Sequence, residues 1–329
     1  MSEPELSVVI PTFERPALLA SCLEGFAGQE VARGRFEVVV VDDGGRQPLD
    51  GVVAAFRERL DLRLERRPHR GVAAARNVGV VLACAPLLVL FDDDQRPLPG
   101  MIGRCLDFHA AEPAEDAFRL MRVVPEPGLP RDACSIAMFE GRGVFGFPQP
   151  GENWSHFGFW GGAISCKASL FRYGLFDAAY GMVEDVELGL RIGQWLPLRC
   201  LFDGAADITQ LRTLGVRDIA RRWLRLSWFH LVWQRNYPGC VTIGERPSYR
   251  EAARFIGDAA TLAERVGALE EQARALGPID AASLTPERRA RLEDFLVGMR
   301  SLVQASQAHG WTAARNDEPV EATLTRLLP

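Results

Sequence analysis

The segment Leu87-Leu88-Val89-Leu90-Phe91-Asp92-Asp93-Asp94 runs five apolar residues straight into three carboxylates. An apolar run without alternation suits a strand buried on both faces, and the charge that follows marks where the strand leaves the core. Toward the N-terminus, Leu62 to Glu65, Phe36 to Val41 and Leu6 to Ile10 read as further buried strands. Between these runs the spacing turns helical. Leu18, Leu19, Cys22, Leu23 and Phe26 form one apolar stripe, and Val72 to Ala83 is rich in alanine. Alternating strand and helix is the pattern of an α/β protein, Rossmann-like, with a mostly parallel sheet and helices on both faces. Ligands of such sheets bind beyond the carboxyl ends of the strands, so the polar residues found there are the candidates for function.

Three adjacent carboxylates are costly to crowd together unless a positive charge neutralises them. A hard divalent cation with oxygen ligands, Mg²⁺ or Mn²⁺, does so and can also hold a diphosphate. The plainer alternative is a solvated acidic turn ahead of Pro97 and Pro99. Val41-Asp42-Asp43-Gly44-Gly45 also ends a run in carboxylates, followed by glycines that let backbone approach a ligand. Asp43 can accept from a base N–H or a ribose hydroxyl there, or simply close an Asp-Gly turn. In Pro11-Thr12-Phe13-Glu14-Arg15-Pro16, Thr12 suits a turn hydroxyl or a helix cap as readily as a ligand contact. Arg70-Gly71-Val72-Ala73-Ala74-Ala75-Arg76-Asn77 sets two arginines near a helix N-terminus, a natural anion site, with an exposed helical Arg76 as the alternative. Downstream, Trp160-Gly161-Gly162-Ala163 precedes Gly181-Met182-Val183-Glu184-Asp185-Val186-Glu187-Leu188-Gly189-Leu190-Arg191. Glu184 and Asp185 open a helix, where acidic residues suit the dipole. Glu187 and Arg191, four apart, read as a structural pair.

Pro125 to Asn153 is rich in glycine and proline, which predicts a loop or lid without regular structure. A strand over Phe157 to Cys166 and a helix over Asp185 to Trp195 are expected next. Beyond about residue 215 the pattern is wholly helical. One stripe joins Ala252, Phe255, Ile256, Ala259, Leu262, Val266, Leu269, Ala273 and Leu276, Gly277-Pro278 breaks it, and Leu292, Phe295, Leu296, Met299, Leu302 and Val303 form another. Within 217 to 237, Arg217, Arg221, Arg222 and Arg225 alternate with Ile219, Trp223, Leu224, Leu226, Trp228, Phe229 and Trp233. That mixture fits either a membrane-interface helix or a core helix with exposed arginines.

The 329 residues carry a formal charge of -5, which argues against a surface built to wrap nucleic acid. The 7 cysteines lack a Cys-x-x-Cys pair, so neither a disulfide framework nor a thiolate zinc site is expected. The N-terminus has no signal-peptide pattern, and no stretch reaches the roughly 18 apolar residues of a spanning helix. A cytoplasmic protein, at most peripheral at a membrane, is the expectation.

The motifs Val-Val-Ile-Pro-Thr-Phe (8 to 13), Val-Asp-Asp-Gly-Gly (41 to 45), Gly-Val-Ala-Ala-Ala-Arg-Asn (71 to 77), Asp92-x-Asp94 and Glu-Asp-Val-Glu-Leu-Gly-Leu-Arg (184 to 191) occur in a recognisable order. In them, over roughly residues 6 to 202, the chain resembles the family 2 inverting glycosyltransferases of the GT-A fold. The resemblance implies transfer of a sugar from a nucleotide-diphosphate sugar, with UDP as the default carrier, to a hydroxyl acceptor such as a cell-surface glycan or glycolipid precursor. It assigns Thr12, Glu14 and Asp43 to the nucleoside, with Asp43 at the base, and Arg76 to the nucleotide end. Asp92 and Asp94 match the ribose and metal aspartates, with Asp93 beside them. Asp185 matches the catalytic base, and Gly161 and Gly162 the glycines of the sugar and acceptor cleft, with Trp160 and Glu184 adjoining. Together with the helical pattern beyond 215, it divides the chain into a catalytic domain over 1 to 214, with a nucleotide-sugar half to about 125 and an acceptor half from about 126, and a helical region over 215 to 329, whose helices would carry any dimer contact; the oligomeric state itself is left open. One departure stands out: where many relatives place a histidine as a further metal ligand, this chain reads Asp207-Ile208-Thr209-Gln210-Leu211. The competing readings are a sugar- or nucleotide-binding module without catalysis, a glycosidase, and a sugar nucleotidyltransferase. Against the last, no glycine-rich loop with a following Lys or Arg comes after the first strand.

Overall fold

The computed structural model describes residues 3–140, 147–238, 259–280 and 284–329. The first apolar runs become β1 (Leu6–Thr12), β2 (Phe36–Asp42), β3 (Leu62–Arg66) and β4 (Leu87–Phe91), separated by α1 (Pro16–Ala27), a short α2 (Asp50–Ala54) and α3 (Val72–Leu82). There follow β5 (Gln95–Pro97), α4 (Met101–Ala111), β6 (Ala117–Leu120), β7 (Arg122–Pro125), α5 (Ala133–Phe139), β8 (Ala163–Lys167), α6 (Glu184–Gly193), β9 (Arg199–Leu201) and β10 (Ala206–Gln210). The sheet order is β3-β2-β1-β4-β8-β6-β9. β3, β2, β1 and β4 run parallel, as do β6 and β9, while β8 is antiparallel to both its neighbours. Every residue of β1 and β2 is buried, whereas β3 is only partly so, as befits the edge strand. Thr12 pairs with Asp42 in register, so the polar ends of β1 and β2 emerge side by side. A second sheet, β5-β10-β7, carries Gln210 opposite Gln95.

The described residues fall into two compact units, one of 1–126 with 147–211 and the other drawn from 127–146 and 212–329. The second holds α5, α7 (Val216–Asn236), α8 (Ala259–Leu276), α9 (Pro286–Arg315) and α10 (Val320–Leu327). Its core joins Ile136, Ile219, Leu224, Leu262, Val266, Phe295, Met299, Leu302 and Leu324. α8 ends at Leu276, ahead of Gly277-Pro278. Ala252, Phe255 and Ile256 of the expected stripe lie outside the described residues. α7 buries Ile219, Leu224, Phe229 and Trp233 within this unit. Arg217 pairs with Glu270 and Arg225 with Glu321, and the Trp228 indole donates to the Glu318 carbonyl at 2.8 Å. These are the features of the core-helix alternative. No helix among the described residues is long and apolar enough to cross a membrane.

Three local expectations need correction. The glycine- and proline-rich stretch contains α5, because the Asp132 carboxylate accepts from the Ser135 N–H at 2.8 Å and the Ser135 hydroxyl oxygen accepts from the Asp132 N–H at 3.1 Å, a closed capping box that starts the helix. The strand expected over 157 to 166 is confined to Ala163–Lys167, with Ser155–Gly158 turned into a 3₁₀ helix. The helix expected over 185 to 195 spans Glu184–Gly193, leaving Trp195 exposed beyond its end.

Candidate active site

Three strand ends and one helix start supply the site. At the end of β1, the buried Thr12 hydroxyl donates to Asp93 Oδ2 at 2.7 Å, and the Arg15 guanidinium donates to Asp93 Oδ1 at 3.0 Å and stands 3.6 Å from Asp94 Oδ2. At the end of β2, the Asp43 carboxylate accepts from the backbone N–H groups of Arg70 and Gly71, both at 2.9 Å, and lies 2.8 Å from His69 Nδ1. Asp43 thus closes the loop that leads into α3. The His69 ring stacks on Phe13 with centroids 4.2 Å apart. Glu14 adopts a left-handed φ of 54° and accepts from the Arg46 N–H at 3.3 Å. Arg70 is exposed.

Arg76 is buried in α3, not an exposed helical residue. Its Nη2 donates to Asp92 at 2.8 Å and its Nη1 to Glu184 at 2.5 Å, so it ties the end of β4 to the start of α6. Glycine is needed at both residues facing this pair. A Cβ on Gly161 would lie 2.6 Å from the Arg76 guanidinium, and one on Gly162 would overlap the Asp92 carboxylate. The Trp160 indole donates to the Phe157 carbonyl at 2.8 Å. α6 begins from Val183, a β-branched residue held at φ 62°, a conformation that costs on the order of 1–3 kcal/mol and turns the chain sharply into the helix. Asp185 accepts from the Gly161 N–H at 2.8 Å and from the Val186 N–H at 2.7 Å. Glu187 and Arg191 form the anticipated pair, with a closest approach of 2.5 Å.

Residues 7–163 match the family model described as glycosyl transferase family 2. They are a family 2 glycosyltransferase domain. A validoxylamine A glucosyltransferase of Streptomyces hygroscopicus subsp. jinggangensis is 42% identical over 109 residues, 32% of this chain and 26% of that protein. The PGL/p-HBAD biosynthesis glycosyltransferase of Mycobacterium bovis is 31% identical over 166 residues, 44% of this chain and 62% of that protein. The chain thus spans about a quarter of the first relative's length and under two thirds of the second's. The GT-A fold recurs in the mannosyltransferase PcManGT from Pyrobaculum calidifontis, solved in complex with GDP-Man and Mn²⁺: TM-score 0.57, 18% identity, covering 97% of this chain and 89% of that one. It recurs too in Staphylococcus aureus TarS 1–349 in complex with UDP: TM-score 0.51, 14% identity, covering 95% and 92%.

The acidic residues of the site are unequally placed. Burial, with the charges of Asp94 and Asp92, pushes Asp93 up to about 6 against the pull of Thr12 and Arg15. Burial and the adjacent Asp185 charge push Glu184 up to about 7 against the pull of Arg76. Burial also raises Asp92. Asp92 and Asp94 offer oxygen donors that suit Mg²⁺ or Mn²⁺. Among the described residues, no three His, Cys, Asp or Glu side chains converge as a ligand set. Gln210 stands beside the acidic turn, yet its amide donates to the Asp94 carbonyl at 3.1 Å and braces the backbone. Two carboxylates fit such an ion provided that a diphosphate and water complete its shell.

Arg15, His69 and Phe13 were not singled out by the sequence. Arg15 sits inside the quoted 11–16 motif, and its place opposite the carboxylates follows only once β1 and β4 are paired. His69 immediately precedes the Arg70-Gly71 motif, but nothing in the sequence reveals that the loop folds back onto Asp43.

Proposed function

We propose that this chain is an inverting glycosyltransferase that moves a sugar from a nucleotide-diphosphate sugar, UDP the first to test, to an acceptor hydroxyl. The observation that carries this reading is the junction made by Arg76, which holds the Asp92 end of β4 against the Glu184-Asp185 start of α6. A donor-binding carboxylate and a candidate base then share one cluster. Thr12, Glu14 and Asp43 take the nucleoside, and the Phe13–His69 stack offers it an aromatic surface. Mg²⁺ or Mn²⁺ held by Asp94 and Asp92 would supply positive charge to the departing diphosphate.

Asp185 takes the role of general base. Two backbone N–H groups fix its carboxylate, so its remaining lone pairs have a set direction toward an acceptor proton. The base removes that proton as the hydroxyl attacks the anomeric carbon from the face opposite the diphosphate, which inverts the configuration. Trp160, Gly161, Gly162 and Glu184 border the sugar and acceptor side. Selection of sugar and acceptor falls chiefly to 125–160. The acceptor is a hydroxyl of a glycan or glycolipid precursor, reached from the cytoplasm, and 217–237 is the segment for any peripheral membrane contact. Dimerisation, where it occurs, uses the C-terminal helices.

The deciding experiment incubates the protein with a panel of UDP- and GDP-sugars and Mn²⁺ and follows nucleoside diphosphate release with and without acceptor extracts. Turnover supports the transferase. Tight donor binding without hydrolysis or transfer under any condition leaves a binding module in its place.

A further inference from the structure

The Arg15 guanidinium, which no part of the reaction described above uses, stands where a metal would compete with it. Its side chain is 43% exposed, while those of Asp93 and Asp94, at 3.0 and 3.6 Å from it, are 4% and 10% exposed. One end of the pair is thus fixed in the protein. The other is a long side chain on the turn between β1 and α1, able to swing without moving a strand. A guanidinium keeps its charge at every accessible pH, so it cannot yield to a metal by losing a proton. A divalent ion on Asp94 would stand beside this cation and compete with it for the same carboxylate, and a further anion such as a diphosphate relieves the repulsion between the two. Gln210 sharpens the conflict. It is neutral and its amide is spent on the Asp94 carbonyl, so it adds no negative charge to hold both cations.

We propose that Arg15 is a resident counter-cation of the acidic turn that couples divalent-metal binding to the arrival of the donor's diphosphate. This rests on the nucleotide-sugar reading. In the nucleotide-free protein Arg15 offsets part of the negative charge of Asp93 and Asp94 and lowers the metal affinity of Asp94. When the diphosphate arrives, the guanidinium turns from Asp94 to a phosphate oxygen, which would let the Asp94 carboxylate hold a divalent ion. Arg15 is a positioning residue here: it sets the order of binding, and linkage requires that metal and nucleotide each tighten the other by the same factor.

Free Mn²⁺ measured by electron paramagnetic resonance tests this in the full-length protein, with and without UDP or GDP, after the nucleotide's own Mn²⁺ binding is subtracted. Wild type should bind Mn²⁺ weakly alone and at least about tenfold more tightly with nucleotide. Arg15→Gln should bind Mn²⁺ about tenfold more tightly than wild type in the absence of nucleotide, with the coupling factor falling toward one. Arg15→Lys, which keeps the charge, should stay near wild type and reports on any loss of fold. Unchanged or weaker Mn²⁺ binding by nucleotide-free Arg15→Gln overturns the proposal, as does a Lys variant that behaves like Gln. If nucleotide and metal still bind together in that case, the donor-site reading survives; if neither UDP nor GDP binds any of the three proteins with Mn²⁺, both readings fall.

Discussion

Asp185 and Glu184 are neighbours in the chain yet meet different partners, because successive residues in a helical first turn point about 100° apart. Glu184 turns inward to Arg76, and Asp185 reaches the Gly161 N–H. A base acts only during attack, so Asp185→Asn should keep donor affinity within a few-fold while transfer falls by about 10²-fold or more. Single-turnover kinetics with a donor-binding titration checks this, and near-normal transfer by the Asn variant would remove Asp185 from the role. Glu184 makes a separate prediction about pH. Its folded value of about 7 lies above its ordinary 4.5, so between those limits the folded protein binds the proton that the unfolded chain has released. Stability from this group is therefore fully present below about 4.5 and is lost as pH rises toward 7. Glu184→Gln lacks that titration, so the stability of wild type relative to the variant should fall across pH 4.5 to 7, by on the order of 1–3 kcal/mol. Denaturant melts at several pH values measure it, and a difference flat with pH would mean that Arg76 keeps Glu184 ionised throughout. The carboxylates themselves stood out in the sequence, Asp43 and Asp92 to Asp94 directly after apolar runs, though each also fitted a plain turn, and Glu184 and Asp185 a helix start. Their partners did not. Thr12 and Asp93 are 81 residues apart, Arg76 and Glu184 are 108 apart, and only strand pairing brings them together.

Gly161 and Gly162 form the short link before β8, and both are pressed against the Arg76–Asp92 pair. A methyl at Gly162 must displace the Asp92 carboxylate, which Arg76 anchors from the other side. Gly162→Ala should therefore weaken donor binding by about tenfold or more while the protein still melts cooperatively, since ångström-sized misplacements in a site are expensive. Calorimetric titration of the nucleoside diphosphate alongside a thermal melt separates the two effects, and unchanged affinity would show that Asp92 has room to move. The same elements mark how far periodicity carries. β1, β2 and β4 were readable because near-complete burial leaves largely apolar runs. α5 was missed because glycines and prolines around it masked the Asp132 and Ser135 capping signal. The stretch from 157 to 162 imitated a strand because Phe157, Phe159 and Trp160 supply the apolar content, though Phe159 is buried as part of an irregular link.

Division of the molecule into its two units follows the path of α5, which leaves the sheet after β7 and joins the helical core through Ala133, Ile136 and Ala137. A chain ending at 214 would therefore keep α5 but lose the helices that bury it. Such a fragment should aggregate or melt at least several degrees below the full-length protein, because a few stripped apolar side chains cost about 1.5–3 kcal/mol each. A fragment that melts as the intact chain does would show that α5 needs no cover. Binding of donor by the sheet unit, with Asp94 joining metal to diphosphate, is the claim on which the functional account depends. Thermal melts of wild type and Asp94→Ala with UDP- and GDP-sugars, with and without Mn²⁺, test it most directly. The account predicts that a nucleotide-sugar at 100 times its dissociation constant adds about 2.7 kcal/mol to wild type only with Mn²⁺ present, and that Asp94→Ala loses this metal dependence. Contradiction would be the absence of any nucleotide-induced shift in wild type, or an unchanged Mn²⁺ dependence in the variant.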